Sequence, residues 1–97
     1  MTAYLVVTLQ VSDAGAFGAY RATIDGLEVD YGGRYLVRAP VLDRLEGNGP
    51  DNERVVVMEF PDAQAVRDFI ASDAYQAAKR LRAGAATLNM RLVTEDL

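Results

Sequence analysis

Apolar positions recur along this chain with two different periods. From Ala3 to Val11 the residues are apolar and largely β-branched, and Thr8 and Gln10 alternate against Leu9 and Val11, the period of two that marks a strand. Ser12-Asp13 follows, with short side-chain oxygens suited to accept from the free N–H groups of a first helical turn. Phe17, Tyr20, Ile24, Leu27 and Tyr31 then fall at steps of three or four, which predicts one amphipathic helix running up to Gly32-Gly33. Arg34 to Arg38 reads as a short second strand, stopped or bulged at Ala39-Pro40 because Pro cannot donate to a ladder. Val41 to Glu46 reads as an arm that resumes it, and Gly47 to Asn52 as a turn. Arg54 to Phe60 is a third strand. Asp62 caps a helix with Val66, Phe69 and Ile70 as its stripe, and Ser72 caps a further helical stretch in which Ala74, Ala78 and Leu81, with Tyr75 beside them, face inward. Thr87 to Glu95 is the last strand, with Leu88, Met90 and Leu92 alternating against Asn89 and Arg91.

The order β-α-β-β-α-β, with its second helix broken in two, is that of the ferredoxin-like split βαβ arrangement. The expected fold is α+β, a single domain over residues 1–97 with a four-stranded antiparallel sheet. Sorting each strand by face puts Leu5, Val7, Leu9, Val56, Met58, Phe60, Leu88, Met90 and Leu92 under the helices, together with Tyr35 and Val37. The opposite face then carries Tyr4, Val6, Thr8, Gln10, Val55, Val57, Glu59, Asn89, Arg91 and Val93, with Arg34, Leu36 and Arg38 from the second strand. An open sheet face this rich in valine predicts an interface, here a homodimer packed sheet to sheet.

Composition narrows the chemistry. The chain has 97 residues with no Cys, His or Trp. A disulfide scaffold, thiolate or imidazole metal sites, and any triad or dyad needing His or Cys are excluded. No metal and no cofactor is expected. The net charge of −4 argues against nucleic acid as a partner. Lys79-Arg80 with Arg82 reads as the solvated end of a helix, where cations suit the macrodipole. Gly47-Asn48-Gly49 lies between strands and is a turn, not a phosphate cradle. The start carries no basic segment followed by a long apolar run, and the longest apolar run is Ala3 to Val7, against about 20 residues for a membrane span. A cytoplasmic protein without a membrane partner is expected, and the excess of Arg over the lone Lys79 fits a GC-rich bacterial genome.

Several short segments, in order and spanning the chain, carry a resemblance. Tyr31-Gly32-Gly33-Arg34-Tyr35-Leu36-Val37-Arg38, Leu45-Glu46-Gly47, Val57-Met58-Glu59-Phe60-Pro61 and Ser72-Asp73-Ala74-Tyr75-Gln76 resemble the bacterial family called domain of unknown function 1330. The resemblance implies a dimeric α/β barrel of two ferredoxin-like subunits. Its wider superfamily includes cofactor-independent monooxygenases, lactone isomerases and haem enzymes, while the family itself has no established activity. Ala39-Pro40 departs from the small residue or Gly that often follows the YLVR-type segment.

The candidate site lies on the open face. Glu59, within an apolar strand, is the candidate acid or base, and Arg34, Arg38 and Arg91, with Tyr4, Thr8 and Asn89, are candidate ligand-binding residues for a small, anionic molecule. Glu59, Arg91 and Arg38 form its expected polar cluster. Two functions fit: an isomerase-like or cofactor-free oxygenase-like enzyme, or a non-catalytic binding or interaction module in which these charges are interface ion pairs. The sequence leaves open whether the protein is an enzyme.

Overall fold

In the computed structural model, which describes residues 1–95, the elements run β1 (Ala3–Val11), α1 (Ala14–Ile24), a 3₁₀ helix (Leu27–Tyr31), β2 (Arg34–Pro40), β3 (Arg54–Phe60), α2 (Ala63–Ala71), α3 (Asp73–Leu81) and β4 (Ala86–Thr94). The strands form one antiparallel sheet in the order β2-β3-β1-β4, which is the ferredoxin-like topology expected. Helices lie on one face, making a slab with extents of 34 × 33 × 16 Å.

The caps sit where short oxygen-bearing side chains predict them. Asp13 accepts from the Ala16 N–H at 3.1 Å, Asp62 from the Ala65 N–H at 2.8 Å, and Ser72 Oγ from the Tyr75 N–H at 3.1 Å. The β1 face of Ala3, Leu5, Val7 and Leu9 is buried, and it packs with Met58, Phe60, Val66 and Phe69. Phe60, Phe69 and Tyr75 are the largest fully buried side chains, and Phe69 stands 5.4 Å, ring centre to ring centre, from each of the other two.

Two helical expectations and one strand expectation need correction. The helix expected to reach Gly32 stops at Ile24: Gly26 takes a left-handed φ of 82°, so the chain leaves the helical path and restarts as the 3₁₀ helix. The apolar stripe survives the break, with Tyr20 and Ile24 buried and Phe17, Leu27 and Tyr31 packed against the core. On α3 the inward positions are Tyr75 and Ala78, whereas Ala74 and Leu81 are exposed. The helix is rotated because the large phenol, not the small alanine before it, fills the core. Val41 to Glu46 forms no strand, and Pro40 instead lies within β2, opposite Arg54. A proline is tolerated there because β2 is an edge strand. Gly33 is required by close approach, since a Cβ there would lie 2.5 Å from the Phe60 ring.

Candidate functional site

The open face holds fewer of the candidate residues than expected, and pairs them differently. Tyr4 lies opposite Glu59 on one side and Val93 on the other, Thr8 opposite Asn89, and Val6 opposite both Val57 and Arg91. Glu59 does not meet Arg91. Its partner is Arg34, directly across from it on β2, with Nε 3.1 Å from Oε1. Tyr4 donates to Glu95 Oε1 at 2.5 Å, and this bond raises its phenol pKa above the ordinary value. Arg91 is exposed, and among the described residues no carboxylate lies within 4.0 Å of it. The rest of this face is the valine patch, with Val37 and Val93 42% and 43% exposed.

Arg38 is on the other face. Tyr35 pairs with Met58 and Val37 with Val57, so Leu36 is an extra residue, a bulge, between two paired neighbours. The bulge resets the alternation by one. Arg34 and Val37 therefore share the open face, while Tyr35 and Arg38 share the helix side, opposite Met58 and Val56. The expectation that Val37 faces the helices and Arg38 the open side fails for this reason. The Arg38 guanidinium lies over the Tyr35 ring, 4.1 Å from its centre. Tyr35 itself is partly buried, and desolvation raises its pKa.

That side contains a cavity of about 340 Å³ between α1 and the sheet. Its walls are aliphatic and aromatic, from Leu5, Val7 and Leu9 on β1, Val56 and Met58 on β3, Phe17, Tyr20 and Ile24 on α1, and Leu88 and Met90 on β4. Arg21, Asp25, Arg38 and Arg54 supply its charged groups, and all four residues are exposed, so their charged ends sit at the mouth. Among the described residues none of these three arginines has a carboxylate within 4.0 Å. A chain with a net charge of −4 thus places three cations and one anion around one opening. Arg54 was legible: it shares strand parity with Val56 and Met58. Arg21 and Asp25 were not, because nothing in their spacing reveals that α1 stands off the sheet.

Tyr20 and Tyr75 meet within the cavity wall, with their hydroxyls 3.0 Å apart. Burial raises the Tyr20 pKa, and the hydrogen bond with Tyr75 raises it further. Arg82 leans on this pair. Its guanidinium lies 5.0 Å from the Tyr20 ring centre and Nη2 donates to Tyr75 Oη at 3.4 Å. It does not extend the solvated row of Lys79 and Arg80, because it caps the C-terminus of α3, where the chain leaves the helix. The signal was present as spacing: Tyr75, Ala78 and Arg82 lie three and four residues apart and share one face. Chemically, the mouth can hold an anion, the walls an apolar body, and the phenol pair an oxygen. Among the described residues no cluster of three or more metal-ligating side chains is found.

Comparison with known proteins agrees with this fold. The profile described as "Domain of unknown function (DUF1330)" matches residues 2–96. The chain belongs to the DUF1330 family. No curated protein matches it in sequence. Among solved structures, this DUF1330 chain is similar to a protein of unknown function from Rhodopseudomonas palustris, with 16% identity, a TM-score of 0.78, and coverage of 99% of this chain and 83% of that one. A dimeric ferredoxin-like protein of unknown function from Jannaschia sp. gives 17%, 0.73, 97% and 99%. SnoaB, a cofactor-independent oxygenase from Streptomyces nogalater, gives 18%, 0.69, 99% and 94%. At these identities the likeness is one of fold. No helix among the described residues is long and apolar enough to cross a membrane.

Proposed function

We propose that this DUF1330 protein is a homodimer that binds a small, mostly apolar molecule with an anionic group, in the cavity between α1 and the sheet of each subunit. The observation that carries the reading is the cavity itself. Its volume of about 340 Å³ falls within the range of small-molecule sites. Apolar walls with a few convergent polar groups are the usual makeup of such sites, and the unpaired arginines at the mouth favour a carboxylate or similar anion. The pocket moves, relative to the sequence-based expectation, from the open face to the helix side, and Arg38 moves with it. The Arg34–Glu59 pair is then an ion pair within the dimer face. Glu59 is engaged by Arg34 and lies across the sheet from the cavity, which favours this structural role over acid–base chemistry.

Cofactor-free oxygenation, the activity of the similarly folded SnoaB, is the catalytic form we propose for this reading. Such a reaction would need a group to take a substrate proton, and Asp25 is the carboxylate in the cavity lining.

The test uses 4-isopropylbenzoate, an apolar body with one carboxylate, titrated into the labelled protein by two-dimensional NMR. The amides of Gly18, Arg21, Arg38 and Arg54 are expected to shift. Arg38→Met and Arg54→Met are each expected to weaken binding about fivefold, the size of one partly screened charge contact. Shifts confined to the valine face, or none, would overturn the proposal.

A further inference from the structure

The bulge at Leu36 does more than turn Arg38 to the helix side, for it also sets two like charges side by side. Arg38 stands opposite Val56, and Arg54 lies two residues from Val56 on the same face of β3. The two arginines are therefore diagonal neighbours across the β2–β3 pair, about 7–8 Å apart at Cα, a separation that long side chains bridge. Like charges so placed repel. Among the described residues neither has a carboxylate within 4.0 Å, and Glu53, next to Arg54 in sequence, is engaged by Arg44 at 3.1 Å. The carboxylate of the cavity lining, Asp25, stands one helical turn from Arg21, and these two offset each other on the α1 side of the mouth. The Arg38 guanidinium lies over the Tyr35 ring, on the side away from Arg54, as repulsion between the two arginines favours.

We infer that Arg38 and Arg54 form a two-armed clamp for a dianion, so that the ligand's head at the mouth carries two negative charges, as a phosphate monoester or two adjacent carboxylates would. The inference rests on the cavity reading above and narrows its ligand class. A singly charged carboxylate leaves one positive charge of the pair uncompensated, whereas a dianion balances both. Guanidinium suits the task, because its planar fork meets phosphate or carboxylate oxygens two at a time. The clamp also sets orientation. It stands on the β2–β3 side of the opening, so the apolar body runs inward past Val56 and Met58 toward Val7 and Leu5, which lie opposite them on β1.

A probe that changes only its own charge tests this. 4-Isopropylphenyl phosphate goes from one negative charge to two as pH rises through about 6. The chain has no histidine, the side chain that ordinarily titrates in this range, so between about pH 5 and 7 the probe rather than the protein changes charge. 4-Isopropylbenzoate, singly charged throughout, is the control. Followed by NMR titration, the phosphate should bind the wild-type protein about tenfold more tightly at the upper pH than at the lower, and the benzoate about equally at both. The gain should fall to about threefold in Arg38→Met or Arg54→Met and vanish in the double variant, while Arg21→Met leaves it near tenfold. All three side chains are exposed, so these variants keep the fold. 4-Isopropylphthalate, with two adjacent carboxylates, then identifies the head: affinity equal to that of the doubly charged phosphate assigns the clamp to either dianion, and affinity no better than the benzoate's assigns it to phosphate. Equal phosphate affinity at the two pH values with shifts in the cavity amides, or a gain that survives the double variant or falls equally in Arg21→Met, would overturn the inference while leaving the cavity reading standing. Absence of cavity shifts with every probe would overturn both.

Discussion

A buried phenol beside a second phenol has little means of stabilising a negative charge. Tyr20 is in that position: desolvation first, and the bond with Tyr75 second, push its pKa upward. A native pKa above the unfolded one means that the folded state holds its proton more tightly. The stabilisation is fully present below the unfolded value of about 10 and is lost as pH rises through the native value. Stability measured by urea unfolding should therefore be flat from neutral pH to about 9, then decline. Tyr20→Phe should make that decline shallower. In an absorbance titration of the five tyrosines, Tyr20 should ionise only as the protein unfolds. All five ionising near pH 10 in a protein that remains folded would contradict the burial argument.

Among the elements, the connection from β2 to β3 is the least regular and the most tied to one side chain. Val41 donates to the Glu53 carbonyl at 2.9 Å, closing its base. Arg44 then gathers the loop inward, donating to the carbonyls of Gly49 and Pro50 at 3.2 and 3.1 Å and to Glu53 at 3.1 Å. Arg44→Met removes these bonds while keeping much of the stem. It should cost about 1–2 kcal/mol, since these are charge-assisted but only partly buried contacts. It should also raise amide exchange and protease cutting near Asn48. Unchanged exchange there would show that the loop is held by something other than Arg44. The same scale shows what sequence reading can reach. The alternation on β1, β3 and β4 was legible because each strand keeps an unbroken period of two, so Leu5, Met58 and Leu92 were placed correctly. Arg38 was misplaced because a bulge is a backbone event: Leu36 bears no Gly or Pro to announce it. Tyr4, Glu59 and Arg91 were put on the right face, but the ion pair depends on which strand lies across from Glu59, and that strand is β2. The cavity was the least legible feature, since it is set by the gap between α1 and the sheet rather than by any residue pattern.

At the scale of the whole molecule, helices cover one side of a thin slab and leave the other bare. Val6 and Val57 stand opposite one another at the centre of that bare face, with Val55, Val37 and Val93 around them. Four strands about 4.8 Å apart and seven residues long present a footprint of roughly 450 Å². A stable interface takes about 800 Å² from each partner, so the sheet alone falls short. The loop after β2 carries Leu42 and Leu45, 99% and 90% exposed, and it extends from the edge strand of this sheet. The expected dimer therefore packs sheet to sheet and closes the shortfall with this loop lying on the partner. Two consequences follow at different strengths. Val57→Asp should give a folded monomer in sedimentation at micromolar concentration. Its carboxylate stays in water when the subunits separate, but would be buried without a partner at the centre of the dimer. Replacing both Leu42 and Leu45 with Ser should leave each subunit's fold intact, because neither side chain packs into its core. It should raise the dimer dissociation constant about 10- to 100-fold, from the apolar area no longer buried. A Val57→Asp protein that sediments at twice the monomer mass would rule out the sheet-to-sheet dimer. A double Ser variant with wild-type affinity would rule out the loop's part in it.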